Sequence, residues 1–175
     1  MANEMEGRFR RWLAYEKDAH AKVVRSLESV PAERQGGPEY RKAVTLLAHL
    51  AAARQMWLYR LGKHPHPPAD IFPADVGLEE VAGRLRAVEA HWDEYLGGLT
   101  DEELARTFEY QSLDAGRFRN RVEDVWTQLF GHSWYHRGQI AMLVRAAGGH
   151  PAVTDLIFWC RESVPAGPPA DGVGP

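Results

Sequence analysis

His132 and His136 stand four residues apart in the run Gly131-His132-Ser133-Trp134-Tyr135-His136-Arg137-Gly138-Gln139-Ile140. In a helix that spacing stacks two side chains one turn apart on one face, so both imidazoles can reach a single ion. Helical steps from Val122 place both rings on or beside the face turned to the core, where polar side chains need partners. A metal ion satisfies one nitrogen of each ring, and a third protein ligand completes a set that leaves one position for water or substrate. His49 is the best-placed third ligand, in mid-helix beside Leu46, Ala53 and Met56. The same spacing also suits two ordinary core or surface histidines, and the chain has eight His. Gly138 tilts the balance, because glycine inside a helix costs ~1 kcal/mol against alanine and points to the close approach of another backbone or a ligand.

Other residues invite chemistry less strongly. Glu16 and His20 are also four apart, near the apolar face of their segment. They read either as a proton-transfer pair beside a metal site, with Glu16 as the base, or as an ordinary helix pair at a bundle edge, which is the commoner arrangement and the expectation. His64, His66, His91 and His150 are expected in solvent. The tryptophans fall mostly at core spacing, with Trp57 and Trp134 close enough to ligand histidines to line a pocket. Arg137 and Gln139 suit either a substrate or a dimer contact. Cys160 reads as a small buried hydrophobe. No glycine-rich phosphate loop and no G-x-S-x-G elbow occurs, so phosphoryl transfer and serine hydrolysis have no support.

These residues need a scaffold, and the apolar periodicity supplies one. Met5, Phe9, Trp12, Leu13, Ala19, Val23, Leu27 and Val30 recur at helical steps until Pro31, which predicts a first amphipathic helix. A second runs from near Tyr40 through Ala43, Leu47, Leu50, Met56, Trp57 and Leu61 to Gly62. His64-Pro65-His66-Pro67-Pro68 excludes helix, so residues 62–77 form a long connection. A third stripe spans Leu78 to Leu99, and Thr100 with Glu103 forms a capping box for a short helical turn. Between Thr107 and Asn120 the period changes, and Asp114-Ala115-Gly116 marks the tip of a small hairpin. The fourth long helix carries Val122, Val125, Leu129, Ser133, His136, Ile140, Leu143 and Ala147, and Gly148-Gly149 ends it. Asp155 to Cys160 is a candidate terminal helix. The expected fold is all-α: a four-helix bundle with a long crossover between its second and third helices and a small hairpin before the fourth. It occupies residues 1–163, followed by a Pro/Gly-rich disordered tail over 164–175.

Composition narrows the partners. A chain of 175 residues with 45% hydrophobic and 26% charged residues fits one globular domain. A formal charge of −3 offers no basic face for phosphates, so nucleic acid is not an expected partner. The single Cys excludes an intrachain disulfide and thiolate-rich zinc sites. The charged opening Met1 to Arg11 does not resemble a signal peptide and no window suits a membrane span. The expectation is a cytoplasmic protein with no membrane partner.

The run from Gly131 to Ile140, continued by Leu143, Arg145, Gly148, Pro151 and Asp155, resembles the H-x-x-x-H-R-G-Q segment of the DinB-like (DinB/YfiT) family of metalloenzymes. Leu46-Leu47-Ala48-His49 with Trp57 resembles the histidine segment of that family's second helix, and the resemblance covers roughly Met5 to Trp159. It implies a bundle with non-sequential connections and one divalent metal ion held by His49, His132 and His136. Zinc is the expected ion, with nickel or iron as alternatives. A homodimer is also implied, and the apolar faces that a small bundle with six Trp leaves over point the same way. Some relatives transfer low-molecular-weight thiols such as bacillithiol or mycothiol onto electrophiles. The resemblance therefore favours a thiol S-transferase acting on a small-molecule thiol and an electrophile. The alternatives are a metal-dependent hydrolase and a non-catalytic, metal-stabilised, stress-related dimer.

Overall fold

The computed structural model describes residues 4–164. The long helices are α1 (Glu4–Glu28), α2 (Pro38–Arg60), α3 (Leu78–Gly97) and α5 (Val122–Ala146). Two short helices, α4 (Asp101–Ala105) and α6 (Leu156–Cys160), and an antiparallel hairpin of β1 (Thr107–Gln111) and β2 (Arg117–Arg121) complete the described chain. The fold is all-α apart from that hairpin, as the periodicity predicts. The Pro/Gly-rich tail lies, from residue 165, outside the described residues.

The helix ends follow from local chemistry. Pro38 occupies the first turn of α2, where its missing N–H costs nothing and its fixed φ suits the helix. Gly62 and Gly148 take positive φ at 72° and 83° just beyond α2 and α5. The next N–H in each case bonds five residues back, Lys63 to the Leu58 carbonyl at 2.8 Å and Gly149 to the Val144 carbonyl at 2.9 Å. Only glycine adopts that left-handed cap without strain. The Thr100 hydroxyl accepts from the Glu103 N–H at 3.1 Å and starts α4.

α2 packs on both α3 and α5, whereas α1 packs on α3 and α5 and hardly touches α2. Consecutive helices α1 and α2 therefore sit diagonally across the bundle, and the segment between α2 and α3 is the long crossover. α2 is the most enclosed element, with Ala43, Leu46, Leu47, Ala48, Leu50, Ala51, Ala52 and Ala53 all buried. An aromatic core closes one end, with Trp92 and Trp126 centroids 4.7 Å apart, Phe9 stacked on Trp126 at 5.4 Å and Trp12 edge-on to Phe130 at 4.7 Å. Such pairs add about 0.5–1.5 kcal/mol each beyond area burial.

β1 and β2 pair from Thr107↔Arg121 to Gln111↔Arg117, with Ala115 at φ 67° in the turn. β2 runs straight into α5, so the hairpin fixes where the helix carrying His132 and His136 begins. α6 forms where Asp155 to Cys160 suggested a terminal helix, but none of its residues is buried. Ile157 and Phe158 are exposed, and Cys160 is half-buried rather than a core residue.

Candidate metal centre

His49 on α2 and His132 and His136 on α5 meet at one point. His132 Nε2 lies 3.1 Å from His49 Nε2 and 3.0 Å from His136 Nε2. His49 and His136 are buried and His132 is half-buried. Among the described residues these three form the group able to hold a metal ion.

The hydrogen bonds on the far sides of the rings show what the converging nitrogens are. His49 Nδ1 sits 2.7 Å from the Ile71 carbonyl, and a carbonyl only accepts, so Nδ1 carries the proton and Nε2 presents a lone pair. His136 Nδ1 is 2.7 Å from Gln139 Oε1, which fixes the same tautomer. His132 Nε2 has at most one proton to share between two lone pairs. Neutral rings therefore leave at least one nitrogen facing another with nothing between them, and a cation removes that conflict. Three imidazole nitrogens are also a donor set suited to zinc or nickel.

Electrostatics keep the rings ready to ligate. Burial, then the neighbouring His136, His49 and Arg54, push His132 down to about 4. Burial pushes His49 down, against the pull of the Ile71 hydrogen bond. Both are neutral at pH 7, the form that binds metal.

The crossover supplies the support for His49. Asp70 Oδ1 accepts from the Phe72 N–H at 2.9 Å, a side-chain turn that presents the Ile71 carbonyl to His49. Phe72 stacks face to face on the His49 ring with centroids 4.0 Å apart and planes within 2°. Tyr135 lies edge-on to His136 at 5.0 Å. Phe72 and Tyr135 are both exposed and flank the triad on its solvent side. Ile71 and Phe72 escape a reading of spacing, because a prolyl crossover has no period from which to read a register.

Beneath the triad lies a buried charge network. Glu16 Oε2 accepts from Arg54 at 2.5 Å and Oε1 from Arg137 at 2.6 Å. Arg54 also donates to Ser133 Oγ at 2.8 Å, and Arg137 to the Tyr15 hydroxyl at 2.6 Å. Tyr15 donates onward to the Thr154 carbonyl. His20 bridges two carboxylates, with Nδ1 2.7 Å from Glu89 and Nε2 3.6 Å from Glu16. Glu16 is 0%, Arg54 1%, His20 2% and Arg137 3% exposed. This corrects the expected edge pair, since Glu16 and His20 are in the core. It also places Arg137 in that core instead of at a substrate or dimer contact, while Gln139 orients His136. Burial alone would raise the Glu16 carboxyl, but Arg54, His20 and Arg137 outweigh it and hold the group below its ordinary value. Burial pushes His20 down despite Glu89 and Glu16.

Two expectations about the surroundings differ from what is found. Apart from its chain neighbours and the backbone of its own helix, no atom of the described chain lies within 4 Å of where a Gly138 Cβ would stand, so its surface is open. Trp134 is exposed, whereas Trp57 does line a pocket. A cavity of about 830 Å³ around Tyr40, Val44 and Leu78 has none of the three histidines in its lining.

The fold and the triad together define a helical-bundle protein with a candidate three-histidine metal site on facing helices. A family model described as DinB superfamily matches residues 41–140, a span that includes all three histidines, and the chain belongs to that superfamily. No curated protein and no solved structure matches the chain. No helix among the described residues is long and apolar enough to cross a membrane.

Proposed function

We propose that the protein is a metal-dependent enzyme that activates a thiol, or failing that water, at His49, His132 and His136. The observation that carries this reading is the convergence of three Nε2 atoms, with the tautomers of His49 and His136 fixed from behind by Ile71 and Gln139. That is the arrangement of a three-ligand site with a position left over. A divalent ion held there, zinc in the first instance with nickel or iron as alternatives, supplies the positive charge that ionises a thiol or water at neutral pH. The protein's part is to hold three neutral imidazoles in place and to border the open side with Phe72 and Tyr135. The favoured reaction is transfer of a low-molecular-weight thiol of the bacillithiol or mycothiol type. Its sulfur forms a bond to an electrophilic carbon, the carbon's leaving group departs with the bonding pair, and the thiol proton passes to solvent. Hydrolysis at the same site is the runner-up.

The test is conjugation of a chlorinated fluorogenic electrophile to a panel of thiols by the zinc-loaded protein, with an ester panel for hydrolysis. Thiol-dependent conjugation above the protein-free rate, abolished in His132→Ala, is expected. Equal rates for both proteins with every thiol would remove the S-transferase reading.

A homodimer is part of the proposal. Trp134, Tyr135 and Met142 on α5, with Ile157 and Phe158 on α6, are large exposed apolar side chains on neighbouring stretches of chain, and such surfaces mark association sites. Light scattering over a dilution series should give twice the mass of one chain, falling toward one in Met142→Glu. A single-chain mass at every concentration would count against the dimer.

A further inference from the structure

The seam between α2 and α5 continues beyond the triad. On α2 the residues sharing the His49 stripe are Ala53, Met56 and Arg60, at four, seven and eleven residues onward. Trp57 lines a pocket with Val125 and Gln128 while His49 meets His132, so the two helices run antiparallel and the α5 side of the seam passes from His132 back toward Gln128. The pocket there holds about 280 Å³ and is lined by Trp57, Tyr110, Asn120, Asp124, Val125 and Gln128.

Arg60 stands at this end of the seam. Its guanidinium carbon is 4.8 Å from the Trp57 ring and 4.7 Å from the Tyr110 ring, and those rings meet edge to face at 5.2 Å. Arg60 has no carboxylate partner among the described residues, and its Nε is buried without a hydrogen bond. A cation in the last turn of a helix suits the helix dipole, which accounts for its position but not for a clamp of two aromatic rings around an uncompensated charge. The neighbouring groups also offer donors. Asn120 Oδ1 already accepts from the Tyr110 hydroxyl at 3.0 Å, leaving its amide N–H groups available, and the exposed Gln128 amide has no partner among the described residues. Asp124 is the one carboxylate among the described residues that line the pocket, and its Oδ2 accepts from the Arg121 N–H at 3.0 Å.

We propose that this end of the seam is a carboxylate-binding subsite, in which Arg60 anchors an acidic group on an extended thiol whose sulfur lies at the histidine triad. The inference rests on the thiol reading of that site. Eleven residues of helix span about 16 Å, and the arginine side chain reaches back toward the triad, so sulfur and carboxylate are separated by about 10–14 Å.

N-acetylated Cys-(Gly)n peptides with n from 0 to 4, each as free acid and as carboxamide, measure that distance, since each residue adds about 3.3–3.6 Å. Their binding to the cobalt-loaded protein is followed by the absorption of the cobalt–thiolate. The acid should bind about tenfold better than the amide at n of 2 or 3, the scale of one charge-assisted contact, and near equally at n of 0. Arg60→Gln should erase the preference while amide binding stays unchanged. Gln128→Glu, at an exposed position that leaves the core untouched, should erase it by charge repulsion. Equal acid and amide affinity at every length, or a preference that survives either substitution, overturns the subsite while leaving thiol binding intact. Absence of cobalt–thiolate absorption with every peptide overturns the thiol reading and the subsite with it.

Discussion

Protein purified at neutral pH should carry close to one divalent ion per chain, and His132→Ala or His136→Ala protein close to none. Elemental analysis reads this directly, and equal metal in all three proteins would dissolve the site. The same ion should stabilise the fold, because it binds the assembled triad and not the separated helices of the unfolded chain. At a hundredfold excess over Kd that linkage is about 2.7 kcal/mol, or roughly 5–11 °C in Tm for a chain of this size. A chelator should remove it at pH 7–8. The sign with pH follows from the imidazoles. Burial lowers the folded-state value of His49 and takes that of His132 down to about 4, so the metal-dependent stability is full above the ordinary histidine value near ~6.5 and is lost as pH falls through the lowered values. The loss therefore extends further into acid than ordinary values for His49 and His132 would allow. Melting curves with and without chelator from pH 4 to pH 8 check it, and a chelator effect that grew toward acid would implicate carboxylate ligands.

Glu16→Ala should cost about 3–5 kcal/mol, the usual consequence of leaving a buried charge uncompensated. In this case two guanidiniums, Arg54 and Arg137, lose their shared counter-charge with both almost wholly excluded from water. The corresponding fall in Tm is about 6–20 °C. Glu16→Gln separates charge from shape. It keeps the volume and two polar atoms but removes the negative charge, and it should cost most of what alanine costs. Denaturant titrations of both variants decide it, and a Gln variant within about 1 kcal/mol of wild type would mean that packing, not charge, is what Glu16 contributes. Because the Glu16 carboxyl is held below its ordinary value, its stabilisation is present above the unfolded carboxylate range and is lost as pH falls through the folded value. Buried His20, held neutral, adds a loss that begins higher, where the unfolded chain takes up its proton near ~6.5.

What could be read in the sequence was whatever is written as period or punctuation. The helices follow apolar repeats and end at Pro31, Gly62 and Gly148, the hairpin turn falls at Ala115, and His132 and His136 share a face because four residues make about one turn. His49 joined them on its place in a stripe and on resemblance. What escaped was set by which helices are diagonal. α1 and α2 hardly touch, yet Glu16 on α1 reaches Arg54 on α2 and Arg137 on α5 across the centre of the bundle. Spacing within one helix offered only the His20 pair and so suggested an edge. Nor does spacing record a carbonyl: Ile71 orients His49 through its backbone, which any residue type at that position would supply.

The buried network has a consequence for how this chain can change. Glu16, Arg54 and Arg137 lie on three different helices and share one pair of carboxylate oxygens, so a substitution at any one of them takes a buried partner from the others. Losing Glu16 strands two cations, and losing either arginine removes part of what holds the carboxylate ionised. Any path from this charged centre to an apolar one therefore runs through an intermediate less stable than either end. The three positions are a single inheritable unit, expected to be kept together or replaced together, and His132 and His136, on the same helix as Arg137, travel with the helix that the unit fixes in place.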